Sequence, residues 1–193
     1  MNKEVKRCPW CLGNELLKAY HDEEWGTPVH DEQKHFEFLV LESMQAGLSW
    51  MTILNKRENF RKAFSRFDPL RVAKYDEAKI IKLLANPGII RNRRKIEAVI
   101  NNAVRFLEIK KEFTSFDTYI WSFVDNKVIH NKWKKMGDVP VTTELSDTIS
   151  KDLKKRGFKF VGSTTIYAHI QAIGLVNDHL TSCFRYAQLM NAE

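Results

Sequence analysis

The stretch LESMQAGLSW, residues 41–50, decides the fold, and it lies inside the longer apolar run FLVLESMQAGLSWMTIL, residues 38–54. Apolar residues fall on every face of a helix through this run, so the sequence predicts a buried helix that bends or breaks near Gly47. Glu42 is the only charged residue of the run, and burying an ionised carboxylate is costly unless a partner satisfies it. Two interpretations are open. Glu42 caps or pairs with a nearby basic group, or it faces a pocket, beside Gln45 and Trp50, that takes a polar or cationic ligand.

The composition is that of a folded protein with an anionic partner. Among 193 residues, 44% are hydrophobic and 11% are aromatic, which excludes a disordered chain. This length suits one domain, residues 1–193, which we expect to have two helical lobes. The net charge of +7 favours nucleic acid or an acidic membrane surface as the partner.

Targeting signals and cysteine usage indicate the compartment. The first residues, MNKEVKRCPWC, hold no apolar segment of signal-peptide length, and no apolar run reaches the length of a membrane span without a charge. Three cysteines without an export signal favour a reducing compartment and argue against a disulfide framework. We therefore expect a cytoplasmic protein that is not associated with a membrane. Separately from these signals, we expect a monomer.

Helical periodicity recurs along the chain, and strict alternation over more than four or five residues does not, so the predicted fold class is all-α. The pattern predicts helices over 31–46, 50–64, 69–74, 76–86, 91–110, 116–124, 144–156 and 162–176. The basic segment 125–143 contains Gly and Pro and is expected to be an irregular surface loop.

Four residues near the chain ends have a composition that suits tetrahedral zinc. Cys8 and His21 are separated by 12 residues, and His179 and Cys183 by three, which would place the second pair on one face of a helical turn. A closed set of four ligands leaves no position for water, so such an ion would be structural. The alternative is that these residues are scattered and that Cys11, in the motif CPWC, is the partner of Cys8 in a redox pair or another zinc site.

Two segments favour DNA binding. NPGII, residues 86–90, ends a helix in a glycine turn before a basic helix start, and KKRGFKFVGSTT, residues 154–165, places two glycines five residues apart around a turn and a helix start. Glycines let the backbone approach a phosphate, which the amides of a helix N-terminus and basic side chains attract. Each segment alone is also typical of an ordinary helix–helix turn. The candidate DNA contacts are Gly88, Arg91, Lys155, Arg156, Gly157, Gly162 and Thr164.

Several of these strings together resemble one enzyme family. CPW, AYHDEEWG, LESMQAGLSW, FKFVGSTT and GLVNDHL occur in this order over nearly the whole chain. They resemble the DNA-3-methyladenine glycosylase I family, within the helix–hairpin–helix DNA glycosylase superfamily. The resemblance implies an all-α helix–hairpin–helix fold and removal of 3-methyladenine from alkylated double-stranded DNA, during base excision repair. Because no lysine is placed like a Schiff-base nucleophile, we expect monofunctional hydrolysis of the N-glycosidic bond by water. The resemblance also implies one structural Zn²⁺ that joins the N- and C-terminal segments through Cys8, His21, His179 and Cys183, and base recognition by Glu42, Tyr20 and Trp50 with Trp10 close by.

Two positions depart from related patterns. Leu17 stands where some relatives carry an aromatic residue, and Asn177 stands where most of the superfamily has a catalytic Asp. The usual Asp-assisted mechanism is therefore not expected here. Leu48, next to Gly47, is a candidate wedge into the DNA duplex, although a core leucine is the plain alternative. A DNA-binding module without catalysis is the rival to the enzyme, but a pure binder has no need to bury Glu42 beside Trp50.

Overall fold

Ten α-helices and one pair of two-residue strands make up the computed structural model, which describes residues 5–191. In chain order they are α1 (Glu15–Glu23), α2 (Glu32–Gln45), α3 (Trp50–Ala63), α4 (Pro69–Val72), α5 (Glu77–Leu84), α6 (Arg93–Phe113), α7 (Phe116–Ser122), β1 (Ile129–His130), α8 (Glu144–Lys155), α9 (Ser163–Ala172), β2 (Val176–Asn177) and α10 (Phe184–Met190). Single 3₁₀ turns lie at Pro9–Cys11, Ser65–Phe67 and Met136–Asp138. The prediction of a mostly helical protein is confirmed.

Helix α2 is the central element. Ten consecutive residues of α2, from His35 to Met44, are buried, and the helix packs against α3, α6, α7 and α9. The helix ends at the turn that contains Gly47, whose φ of +78° favours glycine, and α3 starts at Trp50. The predicted break in the apolar run is therefore present, and it brings Glu42 and Trp50 to adjacent helix ends.

Local sequence signals explain where the helices start. Side chains accept hydrogen bonds from first-turn backbone N–H groups at eight helices, and the capping residues are Asn14, Asp31, Ser49, Asp68, Asp76, Asn92, Ser115 and Thr143. Apart from Asn14, each of them lies at or next to the first residue of a helix predicted from the sequence.

The structure corrects two predicted segments and adds two helices. The helix predicted over 162–176 ends at Ala172, because Gly174 lies against the backbone of Thr27 and Pro28, where a Cβ atom would meet Pro28 N at 2.5 Å. The segment 125–143 is not wholly irregular, since β1 pairs in parallel with β2. Helices α1 and α10 were not predicted.

The prediction that His179 and Cys183 share one face of a helical turn was also wrong. His179 and Cys183 lie in the turn between β2 and α10, and Cys183 is the N-cap residue of α10. The two side chains still meet, because the turn folds back on itself, with Cys183 N donating to Leu180 O at 2.7 Å.

One large apolar core runs through the described residues, and a second, small cluster of Cys8, Leu180 and Cys183 lies where the chain ends meet. The prediction of a single domain with two lobes extends over residues 1–4 and 192–193, which lie outside the described residues, and it stays a prediction. None of the described helices combines the length and the apolar character that a membrane span needs.

Candidate active site and metal centre

A cavity of about 320 Å³ opens where the adjoining ends of α2 and α3 face α9. Its walls come from the N-terminal segment, α1, α2, α3, the segment before α8, α9 and the residues after β2. The lining residues are Trp10, Tyr20, Trp25, Glu42, Gln45, Trp50, Met136, Val139, Pro140, Val141, Thr164, Tyr167, Ala168, Gln171 and Asp178. The four side chains predicted to recognise a base are therefore in one cavity.

Glu42 reaches this cavity from the last turns of α2, and its side chain is 5% exposed. Within residues 5–191 it forms neither a hydrogen bond nor an ion pair. Burial raises the pKa of its carboxyl group to about 8. The interpretation of Glu42 as a capping or paired residue is thus wrong, and the interpretation of a carboxyl group that faces a pocket agrees with the structure.

Aromatic rings surround this carboxyl group. The Tyr20 ring lies 5.3 Å from the Trp50 ring and 6.3 Å from the Trp10 ring, centroid to centroid. Burial, and then the nearby charge of Glu42, raises the pKa of Tyr20, so its hydroxyl keeps its proton. The indole Nε1 of Trp50 is buried without a hydrogen-bond partner among the described residues. The cavity therefore offers π faces and one unpaired carboxyl group.

Several lining residues were missed by the sequence analysis. Trp25 packs edge-on against Trp10 at 5.1 Å, and α9 contributes Tyr167 and Gln171. The spacing of residues 164, 167, 168 and 171 places one face of α9 on the cavity, a pattern that helical periodicity could have indicated. The contributions from residues 136–141 and from Asp178 had no such local signal.

Cys8, His21, His179 and Cys183 come together at the chain ends, and their ligand atoms all lie within 4.8 Å of one another. His21 Nε2 is 3.2 Å from His179 Nδ1 and 3.4 Å from Cys183 Sγ, and His179 Nδ1 is 3.7 Å from Cys8 Sγ. Tetrahedral zinc with its usual bond lengths requires about 3.3 Å between two nitrogen ligands and about 3.5 Å between nitrogen and sulfur. The four donor atoms therefore fit this ion.

The groups around the four donors support the same interpretation. The second ring nitrogen of His21 donates to Asp22 Oδ1 at 2.7 Å, and that of His179 donates to Trp25 O at 3.0 Å. Both histidines thus present an unprotonated nitrogen to the centre of the cluster, which is the arrangement that metal-bound histidines adopt. Cys11 Sγ donates to Cys8 O at 3.1 Å and is not part of the cluster, so the alternative pairing of Cys8 with Cys11 is not what the structure forms.

The residues predicted to contact DNA fall into two groups, one near the cavity and one away from it. Leu48 lies in the turn between α2 and α3 with 39% of its surface exposed, so the alternative of a core leucine is wrong. Thr164 is exposed at the start of α9 and lines the cavity, and Gly162 is the N-cap residue of the same helix. Leu48 and Thr164 line an adjoining depression that shares Glu42 and Gln45 with the cavity.

The remaining candidates lie away from the cavity. Lys155 is exposed at the end of α8, whereas Arg156 is bound to Glu112 at 2.7 Å and Asp152 at 2.6 Å. Gly157 has a φ of +86°, which explains the glycine after α8.

In the first basic segment, Gly88 packs against Asn59 and Arg91 is exposed. Lys95, at the start of α6, is buried and donates to the carbonyl oxygens of Met44 and Ala46 at 2.8 and 2.7 Å. That lysine supports the Leu48 turn and is not part of an exposed basic helix start.

Comparison with known proteins places the chain in a family. Residues 10–186 match the model of the methyladenine glycosylase family. The chain is 49% identical to DNA-3-methyladenine glycosylase of Haemophilus influenzae over 92% of this chain and 96% of that protein. It is 46% identical to DNA-3-methyladenine glycosylase 1 of Escherichia coli over 94% of this chain and 97% of that protein.

Comparison with solved structures supports the same family. A crystal structure of 3-methyladenine DNA glycosylase I, 49% identical, superposes with a TM-score of 0.90 over 93% of this chain and 98% of that one. The Staphylococcus aureus enzyme, whose structure addresses 3-methyladenine recognition, is 36% identical with a TM-score of 0.90 over 94% of this chain and 97% of that one. This chain belongs to the methyladenine glycosylase family.

Proposed function

We propose that this chain is a DNA-3-methyladenine glycosylase that hydrolyses the N-glycosidic bond of 3-methyladenine in alkylated duplex DNA, as the first step of base excision repair. The observation that carries the proposal is Glu42, a buried carboxyl group with no protein partner in a cavity walled by Trp10, Tyr20 and Trp50. Such a group gains its partner only when a ligand enters.

The shape of the cavity requires the base to leave the duplex. A nucleobase stacked inside duplex DNA cannot reach a carboxyl group buried in a protein cavity. The nucleotide therefore has to rotate out of the DNA double helix. A cavity of about 320 Å³ is of the size that holds a single flipped base. Leu48, exposed beside the mouth, is the proposed wedge that fills the gap left in the stack.

Charge explains the selectivity. Methylation at N3 gives adenine a positive charge within the nucleoside, and a cation over an aromatic face gains about 0.5–2 kcal/mol per contact. Because the pKa of Glu42 is raised to about 8, its carboxyl group is mostly protonated in the empty cavity at neutral pH. A cationic base stabilises the ionised form, which then accepts hydrogen bonds from the base N–H groups. Neutral adenine gains little of either interaction, so it is discriminated against.

The reaction needs little further assistance. The methylated base departs as a neutral molecule, so the glycosidic bond is already weak before the enzyme acts. Asn177, at the superfamily's Asp position, is buried with its side-chain amide 3.1 Å from His130 Nδ1. None of the described cavity residues is a lysine. Both features favour hydrolysis by water, without a Schiff-base intermediate and without strand cleavage.

We propose that α8, the turn 156–162 and α9 form the helix–hairpin–helix unit that holds the DNA backbone. The turn is fixed on α6 by Asn102, whose side chain accepts from Lys159 N and donates to Lys159 O, both at 2.8 Å. The N-cap residue of α9, Gly162, has no side chain to bond the first backbone N–H groups of the helix, so these groups are available to a phosphate. Lys155, Gly157 and Thr164 are the nearby predicted contacts. Gly88 and Arg91 stay predictions of a second contact.

We also propose one structural Zn²⁺ per chain, held by Cys8, His21, His179 and Cys183. When bound, the ion stabilises the fold by crosslinking the chain ends, and with four protein ligands it has no free position for water. Trp10 and Trp25 connect this centre to the base cavity, since Trp25 lies 4.6 Å from the His179 ring and both indoles line the cavity. The hydrolysis itself uses only the residues of the cavity.

Incubation with methylated duplex DNA, followed by chromatography of the released bases, tests the function. The proposal predicts release of 3-methyladenine with little 7-methylguanine. If folded protein releases neither base yet binds the duplex, the chain is a DNA-binding module and the enzymatic proposal is wrong.

A further inference from the structure

The proposed function gives no role to Asp178, the second carboxylate of the base cavity. Its side chain is 2% exposed and lies in the cavity wall, one residue before His179. Glu42 is buried without a partner in the same cavity, so the two acidic side chains differ sharply in their surroundings.

Asp178 is fully hydrogen bonded. Its Oδ1 accepts from Asn131 Nδ2 at 2.6 Å and from Trp133 Nε1 at 2.7 Å. Its Oδ2 accepts from Gln171 Nε2 at 2.7 Å and from the Tyr167 hydroxyl. Burial, and then the bond to Asp178, raises the pKa of Tyr167, so this hydroxyl remains a donor. With four donors the carboxylate has no acceptor capacity left for a substrate.

These four donors come from two separate segments of the chain, and those on α9, Tyr167 and Gln171, also line the cavity. Tyr167 and Gln171 belong to α9 and contact Oδ2, whereas Asn131 and Trp133 follow β1 and contact Oδ1. The chain continues from Trp133 to Met136, Val139, Pro140 and Val141, which line the cavity. Asp178 therefore joins α9 to the segment that carries these lining residues.

Few other hydrogen bonds hold the 131–141 segment in place. Its regular structure is the 3₁₀ turn Met136–Asp138, and its backbone is tied to the neighbouring chain by Asn131 N donating to Asn177 O at 3.2 Å and Thr181 N donating to Trp133 O at 2.9 Å. Met136 and Val141 are exposed by 38% and 71%, so they add little packing, whereas Trp133 and Val139 are half-buried and pack against the two apolar clusters. Among the described residues, the two bonds to Asp178 are the side-chain hydrogen bonds that tie this segment to the rest of the protein.

We propose that Asp178 is a positioning residue that clamps the 131–141 segment against α9 and so sets the width of the base cavity. The inference rests on the proposed function for its effect on catalysis, but the clamp itself is a property of the protein alone. A cavity of fixed width holds a flat purine over Glu42, and a loosened wall admits other orientations and other bases.

Asp178→Asn tests the clamp, because the amide keeps the size of the side chain but turns an NH₂ group toward donors. We expect amide hydrogen exchange over residues 131–141 to accelerate about tenfold or more, with little change in α2 and α3. Trp133→Phe removes one loop-side bond and is the second variant, in case Asp178→Asn fails to fold beside His179. Asp117→Asn is the matched control, since Asp117 accepts from His35 Nε2 at 2.8 Å outside this cavity.

The same variants are then incubated with methylated duplex DNA, and the released bases are measured. The clamp predicts that release of 7-methylguanine relative to 3-methyladenine rises about fivefold in Asp178→Asn and Trp133→Phe, a ratio that loss of folded protein alone would not change. Unchanged exchange of 131–141 in both variants would overturn the clamp. Inactivity of the wild-type protein would instead contradict the proposed function, while the exchange data would still decide on the clamp.

Discussion

Glu42 shows how far a single residue can be understood from sequence. It was identifiable because it is the only charge in a 17-residue apolar run, and burial of that run follows from its composition. Asp178 was not identifiable as a bonded carboxylate, because two of its four partners, Asn131 and Trp133, lie more than forty residues away in the chain. Contacts between distant segments leave no local pattern.

Glu42 should also make stability depend on pH. Its pKa is about 8 in the folded protein, against an ordinary value of 4.5, so between these values the folded state binds more protons than the unfolded state. Stability therefore falls as pH rises through this window, by up to a few kcal/mol. In Glu42→Gln this loss is absent. Urea unfolding at pH 5 and pH 8.5 measures it, and Glu23→Gln, at an exposed position, should behave as the wild type does. If the free energy of unfolding changes with pH in the same way in wild type and in Glu42→Gln, the raised pKa of Glu42 is contradicted.

Leu48 should matter for catalysis and not for folding. Because its side chain is 39% exposed, Leu48→Ala is expected to change stability by no more than about 0.5 kcal/mol. Loss of the wedge should lower single-turnover excision about tenfold, equivalent to ~1.4 kcal/mol in the barrier. Leu70→Ala, on α4 with 60% exposure, is the matched control. Equal excision by both variants would show that Leu48 does not enter the duplex.

At the scale of elements, helical periodicity and capping residues located eight of the ten described helices. Helix α1 has only nine residues, ELLKAYHDE, and α10 only seven, FRYAQLM, so neither is long enough to show a clear helical period. The β1–β2 pair has two residues per strand and therefore no alternation to detect.

Lys155 and Arg156, which are adjacent at the end of α8, are expected to have different roles, the lysine in DNA binding and the arginine in stability. Lys155→Ala should weaken binding to undamaged duplex and reduce the slope of log affinity against log salt by about 1, with the melting temperature unchanged. Arg156→Ala should lower the melting temperature by about 3 °C, because the guanidinium binds Glu112 and Asp152 and lies 5.0 Å from the Phe113 ring centroid. If Arg156→Ala changes the salt slope as Lys155→Ala does, the arginine also meets phosphate.

At the scale of the whole molecule, the meeting of the chain ends is the feature that sequence alone predicted least well. Between His21 and His179 lie 157 residues, so ligand spacing could not choose between Cys11 and the distant pair as partners of Cys8. The resemblance to a family supplied the set, and the structure brings the four side chains together. The metal itself stays a proposal.

Cys183→Ser tests the proposed zinc site, and Cys11→Ser is its matched control. Cys183→Ser should purify without zinc and melt roughly 10 °C lower, because the crosslink between the chain ends is lost. Cys11→Ser keeps a donor for Cys8 O and should retain one equivalent of zinc and near-wild-type stability. Metal analysis and thermal unfolding measure both. Wild-type protein that never contains zinc, when expressed with the metal available, would contradict the proposal.

The most direct test of the account compares wild type with Glu42→Gln on duplex DNA that carries 3-methyladenine. Single-turnover excision and affinity for undamaged duplex are measured on the same preparations. An unpaired carboxylate that recognises a cationic base predicts excision reduced about a hundredfold or more, roughly 3 kcal/mol, with affinity for undamaged duplex within twofold of wild type. Excision by Glu42→Gln at the wild-type rate would contradict the central claim that Glu42 recognises the base.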